Sequence, residues 1–133
     1  MGLQKQAKTL SKIQIKLVGD YLTTTRNPYR NTLMFHLSVY AGLRAVEIAK
    51  LTWGMVLKSD GTIDDCIRLT NIASKGKTGG RIIPVHKKLY VSLSQWLEQS
   101  GDNPAPDAHI ITTERGNQTS AQVVTNFFHE TYK

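Results

Sequence analysis

The chain has 133 residues, one domain by length and enough to bury roughly two-thirds of its unfolded surface around a single core. Seventeen Lys and Arg against ten Asp and Glu leave a net charge of +7, and the excess is segregated: residues 1–58 hold nine basic and two acidic groups, residues 66–88 six basic and none acidic. Such faces suit a polyanion, although a solvated basic surface has the same composition, while the lone Cys66 excludes an intrachain disulfide and no apolar run approaches the about 18 residues that span a bilayer.

The N-terminus lacks the apolar stretch of a signal peptide, so a cytoplasmic protein without membrane contact is expected, with residues 1–9 flexible. Residues 11–25 combine Ile13, Ile15, Leu17, Val18, Tyr21 and Leu22 with Lys12, Lys16 and Asp20 on another side, which predicts an amphipathic helix capped by Ser11. Asn27-Pro28 interrupts it. Residues 29–41 are mostly apolar and predict a buried second helix, in which His36 reads as a satisfied core histidine. Gly42 ends that helix, and a short third one is expected over residues 44–51, with Val46, Ile48, Ala49 and Leu51 inward.

After a turn at residues 58–62, alternation predicts strands over 67–73 and 81–85, paired as a hairpin with a loose basic tip at 74–80, and Pro84 puts the second strand at an edge. Residues 86–100 return to helical spacing through Leu89, Val91, Leu93, Trp96 and Leu97. A loop at 101–107, a short apolar run at 109–112 and a last helix over 120–132, capped by Ser120, complete the chain. The expected class is α+β, mainly helical, with a small antiparallel sheet.

The most informative stretch is Tyr40-Ala41-Gly42-Leu43-Arg44-Ala45-Val46-Glu47-Ile48-Ala49-Lys50-Leu51-Thr52-Trp53. An apolar helix leading into Gly-Leu-Arg, a Glu three residues on and then Leu-x-Trp resembles the first box of the tyrosine recombinases, the phage-integrase type. The resemblance implies that Arg44 clamps the scissile phosphate. A planar guanidinium suits that role, since it donates two parallel hydrogen bonds and stays charged. Glu47, three residues along a helix, is placed to pair with or orient Arg44. For an arbitrary Arg-x-x-Glu, a solvent-facing arginine with a surface partner would be the ordinary reading.

Downstream, Ala73-Ser74-Lys75-Gly76-Lys77-Thr78-Gly79-Gly80-Arg81-Ile82-Ile83-Pro84-Val85 is similar to the family's β-hairpin, a lysine at the tip and a strand ending in Pro. The family's hairpin lysine is the general acid that protonates the leaving 5′ oxygen, for which an ammonium supplies both the proton and an offsetting charge. Lys75 takes that place here, with Lys77 as the alternative. Lys77, Arg81, His86 and Lys87 are the expected contacts to flanking DNA backbone. Gly76-Lys77-Thr78 also matches the end of a nucleotide-binding loop, but Asn71 stands where that loop needs Gly.

The family's remaining groups, a His-x-x-Arg box and the nucleophilic tyrosine, have no counterpart in the sequence. His129 is followed by Tyr132 where Arg should stand, and Tyr132 lies 88 positions after Arg44, too near to be the nucleophile and better read as a core residue. The resemblance therefore implies the N-terminal part of a catalytic domain, truncated before those groups, that binds double-stranded DNA without completing the reaction. Its parent would cleave and rejoin DNA with no metal or cofactor. A non-catalytic DNA-binding or regulatory relic of the same fold is the alternative, and a small protein-interaction domain with a basic surface a third. Self-association through the surface left by truncation is a further expectation. No His or Cys spacing matches a metal site.

Overall fold

The computed structural model describes residues 10–70, 80–101, 103–113, 116 and 118–132. Within them run α1 (Lys12–Leu22), α2 (Pro28–Ala41), α3 (Ala45–Lys50), a tight helical turn (Trp53–Met55), β1 (Cys66–Leu69), β2 (Arg81–Pro84), α4 (Lys87–Ser100) and α5 (Ala121–Thr131). This is the mainly helical α+β arrangement with a small antiparallel sheet that the sequence leads one to expect. Among the described residues, no helix is long and apolar enough to cross a membrane.

Ser11 and Gln14 start α1 with a reciprocal cap: the Ser11 hydroxyl accepts from the Gln14 N–H at 3.2 Å and the Gln14 side chain accepts from the Ser11 N–H at 2.8 Å. The helix stops short of the expected Thr25. Thr23, Thr24 and Thr25 each donate a hydroxyl to the carbonyl three residues back, at 2.6, 2.7 and 2.6 Å, a local alternative to helical bonding. Its apolar residues wrap too far round the helix for all of them to be covered. Leu22 is buried with Ile15 and Val18 half-buried, whereas Ile13, Leu17 and Tyr21, themselves at helical i, i+4 spacing, are exposed.

Pro28 opens α2, where its missing N–H costs nothing, and α2 packs along α4 while α3 packs on α5. Leu33, Phe35 and Leu37 of α2, Ile48 of α3, Ile67 of β1, Leu89 and Leu93 of α4, and Val124 and Phe128 of α5 are all fully buried. The Tyr132 ring closes this core, 5.8 Å from Phe128 and 6.4 Å from Phe35 between ring centroids, as its reading as a core residue requires. Its hydroxyl is buried near Ser38 without a well-formed hydrogen bond, and burial pushes its pKa up to about 12.

The strands pair antiparallel with Ile67 opposite Ile83 and Leu69 opposite Arg81, and Pro84 ends β2 opposite Cys66. In β1, Ile67 and Leu69 point inward and Arg68 outward, as the alternation predicts. A link with no signature in the sequence joins the chain's middle to its last third: Trp53 N–H donates to Ala108, Gly54 N–H to Pro106 and Ile110 N–H to Leu51, at 3.0, 2.8 and 2.9 Å. The apolar run 109–112 is thus held beside the end of α3.

Candidate phosphate-binding site

Gly42 closes α2 in the left-handed region, at φ 67°, so that the N–H groups of Gly42 and Leu43 turn back onto the carbonyls of Ser38 and Leu37 at 3.0 and 3.2 Å. The chain then extends. Leu43 enters the core and Arg44, at φ −81° and ψ 161°, becomes the N-cap residue of α3 with its side chain exposed. Among the described residues, the Arg44 guanidinium makes no hydrogen bond or ion pair.

Glu47 holds this turn from beneath. Its Oε1 accepts from the Arg44 N–H at 2.8 Å, which satisfies one of the donors that a helix N-terminus leaves open and sets a negative charge at the positive end of α3. The Glu47 side chain is only 5% exposed, and a carboxylate buried to that degree needs a cation. Arg81 supplies it, one guanidinium nitrogen lying 3.0 Å from each carboxylate oxygen. The sequence leads one to expect Glu47 to act on the Arg44 side chain by pairing or orientation. What it holds is the Arg44 main chain, and its side-chain partner is Arg81.

Strand register explains how Arg81 gets there. Residues directly opposite each other in an antiparallel ladder share a face, so Arg81 lies on the face of Leu69, the buried side of β1. Gly80 lets the chain make that approach: it sits at φ 64°, and a β-carbon there would be 2.0 Å from the Leu69 carbonyl oxygen. Arg81 remains 41% exposed, so one edge of the guanidinium faces solvent while another serves Glu47.

His86 and Lys87, both exposed, begin α4. The His86 Nδ1 accepts from the Lys88 N–H at 3.1 Å, which caps the helix and leaves the proton of the neutral ring on Nε2. The same ring stacks on Tyr40 with centroids 4.1 Å apart and planes 14° off parallel. Because Tyr40 belongs to the last turn of α2, the stack pins the start of α4 to the end of α2 that leads into Arg44. Behind it, His36 meets Tyr40 edge-on at 5.2 Å and places Nδ1 3.0 Å from the Ser92 hydroxyl. Burial, and next the charge of Lys88, push the His36 pKa down to about 4, consistent with a neutral, bonded core histidine.

Arg44, Glu47 and Arg81 are thus joined through one carboxylate, and His86 and Lys87 are tied to the same end of α2. Lys75 and Lys77 lie outside the described residues. The Tyr40 stack and the Arg81–Glu47 pair escape sequence reasoning. The first has half a signal in the i, i+4 spacing of His36 and Tyr40, whereas the second depends on a register that becomes known only when both strands are placed.

Comparison with known proteins agrees with this picture. The chain matches the phage integrase family over residues 8–133. Among solved structures it is similar to one described as "Crystal structure of XerA recombinase", at 15% sequence identity and a TM-score of 0.66. The match covers 92% of this chain and 39% of that one, so the chain spans well under half the length of that recombinase. No curated protein matches it. With nearly its whole length aligned to the family and its Gly-Leu-Arg box folded as an exposed arginine just past a glycine-ended helix, the chain belongs to the phage integrase family.

Proposed function

We propose that this chain is the N-terminal part of a tyrosine-recombinase catalytic domain and that it binds double-stranded DNA with Arg44 against the phosphate to be cleaved. One observation carries the reading: the Arg44 side chain is exposed and its guanidinium makes no hydrogen bond or ion pair among the described residues, on a turn whose backbone is fixed by the buried Glu47. With its backbone already fixed, this residue has only side-chain freedom to lose on meeting a phosphate, and its guanidinium can bind two non-bridging oxygens at once. Lys75, with Lys77 as the alternative, would protonate the leaving oxygen in a longer parent. Lys77, His86 and Lys87 would follow the flanking backbone, together with the free edge of Arg81.

The sequence contains no His-x-x-Arg, so the chain by itself binds but forms no covalent link to DNA. Titration of a short duplex across a salt series tests this reading. Binding should be modest and fall steeply with salt, and Arg44→Ala should weaken it roughly ten- to a hundredfold, as expected for a hydrogen-bonded ion contact of about 1.5–3 kcal/mol. No binding at low salt, or unchanged affinity in Arg44→Ala, overturns it.

A further inference from the structure

A glutamate three residues after an arginine at a helix start is a natural partner for that arginine's side chain. In this fold, the pairing does not form, although Glu47 is close enough to bond the Arg44 backbone at 2.8 Å. Both carboxylate oxygens are instead met by Arg81 at 3.0 Å, from the neighbouring sheet. We propose that Arg81 is a positioning residue: by occupying the Glu47 carboxylate, it keeps that group on the Arg44 backbone and off the Arg44 guanidinium, which stays available to phosphate.

The argument is one of competition for a single anion. A buried carboxylate takes the best cation within reach, and an Arg binds it better than water does. Without Arg81, the side chain at i−3 is a ready replacement, since Glu47 already bonds that residue's backbone. Arg44 would then fold down onto Glu47, neutralise it and lose the charge that a phosphate would meet. Arg81 therefore acts through Glu47, not only through the DNA. The strand carries this guanidinium on the Leu69 face and Gly80 brings the backbone in, so the contact is set by the pairing of the two strands.

The proposal rests on the phosphate-clamp reading of Arg44, and the test separates the two. Duplex affinity would be measured for the whole chain, for Arg81→Gln, for the double variant Arg81→Gln with Glu47→Gln, and for Arg68→Gln, which removes one charge from the outward face of the same sheet. Arg81→Gln should bind on the order of tenfold more weakly than Arg68→Gln, the factor expected for loss of a charge-assisted contact. Neutralising Glu47 as well should recover most of that loss, because no carboxylate then remains to capture Arg44, and leave only the part owed to the free edge of Arg81 on the DNA backbone. A direct DNA contact by Arg81 would not be rescued in this way, whereas a purely structural role, the burial of an unpaired Glu47 charge, would be and is separated by the Arg44 resonance. Arg81→Gln equal to Arg68→Gln, or no rescue in the double variant, overturns the proposal.

A second measurement needs no DNA. The Arg44 Nε–H resonance of the free protein should exchange fast in the wild type, shift and slow in Arg81→Gln, and return in the double variant. An unchanged resonance overturns the positioning role even if DNA binds. The expected resonance changes without any DNA binding would overturn the clamp reading and leave the positioning role standing.

Discussion

Two arginines of the same small sheet pair with an acid, and the outcomes differ. Arg68 points outward from β1, 57% exposed, and bonds Asp64 four residues back; Asp64 is 11% exposed and also accepts from the Asp65 N–H. The Arg68 guanidinium beside it holds the Asp64 carboxyl below its ordinary range. Everything in that pair is local. Arg81 points inward from β2 and reaches a carboxylate 34 residues away in sequence, which in turn fixes the backbone of Arg44. The chemistry of the two pairs is alike, and topology decides which one can influence a distant charge.

The sharpest way to break that contrast is Glu47→Ala. It leaves the Arg44 N–H without its acceptor and Arg81 without its anion, and should cost about 3 kcal/mol in a urea titration, at the lower end for a broken buried pair because Arg81 can swing to water. A loss under about 1 kcal/mol would mean that the carboxylate is not an anchor.

The next effect comes from His36, a half-buried polar group that is kept neutral. Its ring titrates near 6.5 in an unfolded chain and at about 4 here, lowered by burial and by Lys88 and His86. Between those values, the unfolded state binds more protons, so the contribution of the neutral ring is fully present above about pH 6.5 and is lost as pH falls toward 4. Allowing for partial exposure, the loss should approach about 2 kcal/mol. Stability measured at pH 7 and pH 4.5 should fall more for wild type than for His36→Gln, and equal falls would place the proton uptake elsewhere.

The smallest effect should be that of Arg68→Ala. Arg68 is exposed, and the nearly buried Asp64 keeps the Asp65 N–H as a second partner, so the melting temperature should drop by no more than a few degrees and DNA affinity by no more than the loss of one remote charge accounts for. A large drop would erase the distinction between the two pairs.

Much of this was legible from residue order. Gly42, Arg44 and Glu47 stand in a pattern whose parts each have one physical use, and α2, α4 and α5 follow from apolar spacing. Other features were not. The apolar residues of α1 support two possible buried sides, and only packing on α2 selects Ile15, Val18 and Leu22 over Ile13, Leu17 and Tyr21. Val91 and Val123 fit the helical pattern of α4 and α5 yet are exposed, because each stripe is narrower than its run of apolar residues. Arg81 reads as a surface cation until the register puts it opposite Leu69.

The central claim is that Arg44 is a cation marked out by its fixed turn and by a side chain that is exposed and makes no hydrogen bond or ion pair among the described residues. The most direct test compares duplex affinity for Arg44→Gln and Arg68→Gln, two single-charge losses on one protein, at one low salt concentration. The account predicts that Arg44→Gln binds at least about tenfold more weakly than Arg68→Gln, the difference between a bidentate phosphate contact and a diffuse charge. Equal losses would contradict it and reduce Arg44 to one basic residue among seventeen.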